Sequence, residues 1–298
     1  MVNTVRIPLG RLKQMKLRSP RPVTRLAILT FPVAIFACAA VLHAQSAPDP
    51  ATVAPDPGFI VRANATIAHS RMLIDTFFEQ TSNVVCTEIV SQTLVGKNNK
   101  PVYREDSVFD YQMQSSTRSG SFRLAETRDV RKAAFRDPNK TLLITDGFAS
   151  MLLILHENYE SSFVFLPVTD ENLEGRTLLK VHFKSVPAAS SPAAVQLLGR
   201  NYPLPLTGDI WIDEETGAVV ELISSLDGPL DDIGLHELRS EIHYSIVQFH
   251  APEEAYWMPA SATIDVETPK QHWRNVHRFS GFRRFRATIQ VNLGEKQP

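Results

Sequence analysis

Five arginines (Arg274, Arg278, Arg283, Arg284 and Arg286) fall within thirteen residues that contain no acid, with Phe279, Phe282 and Phe285 set between them. Guanidinium forks bind carboxylate and phosphate, and aromatic faces stack on cations. The segment therefore has the chemistry to hold an anionic headgroup beside an apolar tail, or to dock an acidic partner. The plainer reading is a strand whose phenylalanines enter the core while its arginines reach water.

Other reactive residues are sparse. His236, His243 and His250 recur every seven residues, a spacing that would share one face of a helix and hint at a metal. The intervening residues read as strand, where an odd spacing alternates faces, so no metal is expected there. His272 and His277 fall on opposite faces of one strand by the same rule. Asp227, Asp231 and Asp232 gather three carboxylates in a loop, but without the ligand spacing of a calcium hand they read as a solvated turn. Cys86, set among valines, reads as a small buried hydrophobe rather than a nucleophile. The chain contains no G-x-S-x-G elbow, no phosphate-cradling G-x-x-x-x-G-K and no H-E-x-x-H. No catalytic residue, metal or cofactor is assigned.

The N-terminal segment addresses location. Met1 to Arg25 carries seven basic residues and no acid, Leu26 to Leu42 is almost wholly apolar, and small residues follow at Ala44, Ser46 and Ala47. That order is a secretory signal, with cleavage expected near Ala44. An uncleaved anchor is the competing reading, although Pro32 interrupts the run. A lipid-modified Cys38 is another, but the chain stays apolar through Leu42. The whole chain has 31 basic and 32 acidic residues; without the seven basic residues of the signal, 24 stand against 32, a net charge of −8. That balance excludes a general nucleic-acid binder. Only Cys86 would remain, so no internal disulfide is available and a hydrophobic core must supply stability. About 250 residues suffice for one large domain, and no integral membrane span is expected after cleavage.

The elements that must position these residues are mostly strands. Residues 45–58 are rich in Pro, Ala and Asp and read as an extended linker. Ile60 to Phe78 has apolar residues at helical spacing. Strand-like text then runs through Val84–Val90, Tyr103–Met113, Ser121–Val130, Ser161–Val168 and Lys180–Val186. Asp209 to Leu222 is a hairpin turning at Gly217, and strands are expected at Leu238–Phe249, Tyr256–Glu267 and His272–Val291. Phe148 to Tyr159 breaks the pattern with apolar residues at Phe148, Met151, Leu152 and Leu155, a short helix. Ala188 to Leu198 reads as helix or loop. The expected class is α+β: a single highly curved antiparallel sheet, an unclosed half-barrel, with an N-terminal helix and inserted helices over its concave face. The domain layout is signal 1–44, linker 45–58, one β-rich domain over 59–293 and a tail at 294–298.

Two phrases carry a family resemblance. Leu143-Ile144-Thr145-Asp146-Gly147 is similar to the strand-into-turn "SDG" segment of periplasmic lipoprotein carriers and acceptors of the LolA/LolB type. Gly208-Asp209-Ile210-Trp211-Ile212-Asp213, followed by Thr216-Gly217, is similar to the G-x-x-W-x-D…tG hairpin of related exported proteins. The resemblance implies a hydrophobic cavity between sheet and helices that takes lipid or lipoprotein acyl chains without catalysis. Phe77, Phe109, Tyr111, Phe148, Leu152, Phe163 and Trp211 are the expected cavity residues, and Arg283 and Arg286 the expected headgroup or partner contacts. Two other readings stand beside it: an envelope scaffold with a packed interior that binds a protein partner, and an exported hydrolase without a recognisable motif. The expected location is the periplasm or the exterior.

Overall fold

Asp56 and Pro57 start the first large element. The Asp56 carboxylate accepts from Gly58 N and Phe59 N, each at 3.3 Å, and proline at the first helical position has no amide hydrogen to leave unpaired. The resulting helix α1 (Pro57–Gln80) begins inside the segment read as linker. It buries Ala63, Ile67, Ile74, Phe77 and Phe78 on one side. A computed structural model describes residues 3–6, 56–80, 83–118, 121–132, 144–145, 148–173, 175–197, 200–250 and 253–284. Among them no helix is long and apolar enough to cross a membrane. The signal region beyond 3–6, Cys38, Ala44, Asp146, Gly147, Phe285, Arg286 and the tail lie outside the described residues.

The described strands, in chain order, are β1 (Asn3–Arg6), β2 (Asn83–Val95), β3 (Pro101–Arg118), β4 (Ser121–Lys132), β5 (Ile144–Thr145), β6 (Phe163–Leu173), β7 (Arg176–Ser185), β8 (Ala193–Leu197), β9 (Arg200–Pro203), β10 (Leu206–Asp213), β11 (Val219–Leu226), β12 (Glu237–His250), β13 (Glu253–Glu267) and β14 (His272–Arg284). Ten form one antiparallel sheet in the order β4-β3-β2-β14-β13-β12-β11-β10-β7-β6. Alternation fixes which face is buried: Val84, Cys86, Glu88 and Val90 point inward on β2, and Tyr111 and Met113 do so on β3. A second sheet, β5-β1-β8-β9, is smaller, with β1 parallel to β8. The ambiguous stretch near residue 190 thus contains a strand, held by pairing on both sides and by burial of Ala193, Ala194 and Val195.

The large sheet does not close, since β4 and β6 are its two edges. Flat, nine steps of about 4.8 Å would hold those edges roughly 43 Å apart. Two 3-10 helices, Ala149–Leu155 and Glu157–Ser162, connect them. Glu126 of β4 caps the first, and β6 follows the second directly. At about 2.0 Å per residue this bridge reaches only some 30 Å, so the sheet curls into a half-barrel. The expected helix at 148–159 is 3-10 in form. Every residue from Ala149 to Leu155 is buried, so packing on all sides, rather than one amphipathic face, sets its shape. Helix α1 and these segments cover the concave side, and the core there is continuous.

Candidate functional site

The β10–β11 hairpin builds one wall of the site. Asp213 Oδ1 accepts from Glu215 N at 3.1 Å and from Thr216 N and Oγ1, both at 2.9 Å, which shapes the turn. Gly217 has φ +72°, and a Cβ there would lie 2.7 Å from His69 Nδ1 and 2.9 Å from Leu73 Cδ1 of α1. Glycine therefore both supplies the left-handed backbone and lets the helix rest on the turn. Gly208 serves packing differently: a Cβ would fall 1.9 Å from the Ile223 carbonyl oxygen.

Under the C-terminal half of α1 the packing is incomplete. A cavity of about 320 Å³ lies between Leu73, Ile74, Thr76 and Phe77 of α1, Leu152 of the first 3-10 helix, Thr216 to Val219 of the turn and β11, and Ala255, Tyr256 and Trp257 of β13. Thr76 and Thr216 supply the only side-chain hydroxyls of its aliphatic residues, and the Tyr256 ring stands 5.8 Å from that of Phe77. Leu153, the neighbour of Leu152, faces a second space of about 170 Å³ with Phe122, Leu124, Asn158, Tyr159 and Ser190. Tyr111, Met113, Phe183, Ile210 and Ile212 are fully buried in the continuous core.

Of the residues expected to line a cavity, the structure brings Phe77 and Leu152 together in the larger one. Phe109, Tyr111, Phe148 and Phe163 are buried on the concave side. Tyr111 and Phe148 meet Phe279 at 5.4 and 5.6 Å, and Phe163 meets Phe183 at 5.8 Å. Trp211 lies on the other face between two buried isoleucines, with Lys180 Nζ 4.7 Å from its ring and its Nε1 donating to Glu171 at 2.9 Å. Arg283 is exposed on the outer side, whereas Arg284 stacks on Tyr256 at 5.4 Å and pairs with Glu254. His243 sits on the outer face beside Glu241, at 3.1 Å, and Glu221, at 3.9 Å.

Sequence reasoning missed a buried ionic cluster. Glu88 has no exposed surface, and both its oxygens accept from Arg128 while Oε1 also meets His277 Nδ1 at 2.7 Å. Burial disfavours the Glu88 charge, but the guanidinium and the imidazole N–H outweigh it and hold its pKa near 2. Burial lowers the pKa of His277, so the ring is neutral with Nδ1 as donor. Its Nε2 has no hydrogen-bond partner among the described residues. Burial, then the Glu88 charge, pushes the Cys86 thiol up, so it is inert as a nucleophile. On β4, Glu126 Oε1 accepts from Phe148 N at 3.1 Å and Ala149 N at 2.9 Å, and Oε2 accepts from Ser150 Oγ at 2.6 Å. The signal was present: Glu88, Glu126 and Arg128 interrupt strands whose alternation points them at the helices.

No protein-family model matches the chain, and no curated protein matches it. Among solved structures it is similar to a DUF1329 family protein from Desulfovibrio piger, at 11% identity and TM-score 0.41, covering 78% of this chain and 95% of that one. It is also similar to a domain from Vibrio parahaemolyticus named for outer-membrane lipoprotein sorting, at 13% identity and TM-score 0.39, covering 78% and 95%. A LolA superfamily protein from Nitrosomonas europaea is similar at 8% identity and TM-score 0.34, covering 76% and 94%. These are likenesses of fold, and the functional reading rests on the chain's own cavity.

Proposed function

We propose that this chain is exported and binds, without catalysis, the acyl chain of a lipid or of a lipid-modified protein in the cavity beneath α1. The single observation that carries the reading is the unfilled apolar space of about 320 Å³, near the lower end of the roughly 300–1,000 Å³ usual for small-molecule sites. Its walls are mostly Leu, Ile, Phe, Val and Ala side chains, with Thr76 and Thr216 among them and Tyr256 and Trp257 at one side, and each methylene moved into such a space from water contributes about 0.8 kcal/mol. The export signal read in the sequence places that binding in the periplasm or outside the cell. Cleavage near Ala44 would also remove β1, leaving β8 paired with β9 alone.

The test is uptake of a fluorescent fatty-acid probe, with native mass spectrometry of protein purified from an envelope fraction. Ala255 is exposed yet lines the cavity, so Ala255→Phe should narrow it without disturbing the core. Probe affinity is expected to fall about tenfold while the unfolding midpoint stays put. Absence of probe uptake and of co-purifying lipid in the unaltered protein would end this reading.

One observation favours an envelope scaffold instead. Edge strand β6 exposes Val164, Leu166 and Val168 at 51, 57 and 51%, and an open apolar edge is the kind of surface that pairs with a partner strand. A protein that takes up no probe but captures a defined envelope partner, and loses it on Leu166→Lys, would support that alternative.

A further inference from the structure

The chemistry at the cavity's margin says which kind of amphiphile would fit, an inference that rests on the acyl-binding reading above. Cationic side chains surround this end of the molecule, and their partners distinguish them. Arg62 is paired with Asp170 and, at 3.0 Å, with Glu214. Arg284 stacks on Tyr256 but is paired with Glu254, which also accepts from Tyr256 Oη at 2.6 Å. Both charges are already answered by carboxylates.

Arg176 differs. Its guanidinium lies 5.8 Å from the centroid of Trp257, a wall residue of the cavity. Its contact with Asp213 Oδ2 is long, 3.4 Å. The other oxygen of that carboxylate is occupied by the three donors of the turn described above. The turn itself contributes Thr216 and Gly217 to the cavity wall. Arg176 is thus tied to the cavity twice, through Trp257 and through the Asp213 turn, and its side chain keeps 39% of its surface in water. A planar guanidinium that keeps 39% of its side-chain surface in water and is backed by an indole is suited to receive a carboxylate or phosphate in bidentate fashion, even while it pairs with the buried Asp213.

We infer that the cavity selects a single-chain acyl anion: the tail lies under α1 and the carboxylate or phosphate is met by Arg176 over Trp257. This moves the headgroup contact from Arg283, on the outer side, to a residue outside the arginine-rich strand.

The experiment compares a saturated fatty carboxylate, the alkyl phosphate, the alcohol and the trimethylammonium compound of one chain length, using the full chain, by titration calorimetry at low salt. The two anions are expected to bind about tenfold more tightly than the alcohol, with the ammonium compound weakest, and added salt should shrink the difference. Whichever anion binds more tightly distinguishes a fatty acid from a single-chain phosphate lipid as the source. Arg176→Gln should bring anion and alcohol to equal affinity, and Arg176→Lys should retain part of the preference. Equal binding of anion and alcohol by the unaltered protein, or a preference that survives in Arg176→Gln, would overturn the inference and leave acyl binding standing. Failure of all four compounds to bind would overturn both. The ammonium comparison needs no variant, so the inference stays testable if the substitutions unfold.

Discussion

Glu88 is charged in the interior because Arg128 and His277 are fixed around it, and that has a consequence for acid stability. Its folded pKa, near 2, lies below the ordinary 4.5, so the unfolded chain binds more protons between those values. The stabilisation it gives is complete above about 4.5 and is lost as pH falls toward 2. His277 acts in the same direction: its folded pKa lies below the ordinary 6.5, so the unfolded state takes up a proton first as pH drops below 6.5. Urea midpoints should therefore fall steadily from pH 7 to pH 4. Glu88→Gln removes the buried carboxylate charge that both Arg128 and His277 meet, and breaking such a buried pair from one side should lower stability by roughly 3–5 kcal/mol at neutral pH. It should also flatten the acid limb below pH 4.5; an unchanged limb would assign the acid loss to other groups.

At the scale of elements, the 3-10 helix Ala149–Leu155 depends on a side chain from another strand. Its first amides have no partner within the helix, and Glu126 of β4 supplies one. Tyr111 also donates to that carboxylate, while Tyr244 Oη donates to the Phe148 carbonyl at 3.3 Å. Because Leu152 and Leu153 face the two cavities, this capping sets the position of the wall between them. Glu126→Ala removes the acceptor of several donors at once, and leaving buried donors unmet costs about 1–3 kcal/mol each. Hydrogen exchange is the fitting measurement. Amides of Ala149 to Met151 should lose protection well before those of β12 and β13, and uniform loss across the sheet would show that the segment does not open by itself.

For the whole molecule, α1 rests on the hairpin turn, and residues of both line the larger cavity. The helix is tied along its length: by Arg62 to Asp170 and Glu214, by Arg71 to Glu160 at 2.7 Å, and by the Phe78 carbonyl, which accepts from Ser115 Oγ at 2.6 Å. Between these ties Gly217 allows close approach. Gly217→Ala combines a strained positive φ with a clash against His69 and Leu73, and should lower stability by about 1–2 kcal/mol. Because the clash pushes the helix outward, uptake of an acyl probe should change together with protease sensitivity at α1. A stable variant with unaltered probe binding would mean that the turn does not position the helix.

Much of this was legible in the chain itself. Alternation and turn residues marked α1, the strands of the large sheet and the β10–β11 hairpin, but not the strands of the smaller sheet. In the phrase from Gly208 to Gly217 there is no room at Gly208, Asp213 shapes the turn and Gly217 seats the helix, while Trp211, expected at the cavity, lies on the other face. The order of strands, the curl that brings β4 and β6 within reach of one short bridge, and the pairing of Glu88 with residues 40 and 189 positions away were not legible. Alternation states which face a side chain takes but not which strand lies beside it. An aromatic residue on a buried face reads the same whether it fills the core, as Tyr111 and Phe163 do, or borders empty space, as Phe77 does. Local spacing thus determined α1, the strands of the large sheet and most of their buried faces. Only the tertiary packing decided where the interior remains unfilled, because that depends on distances between residues remote in the chain.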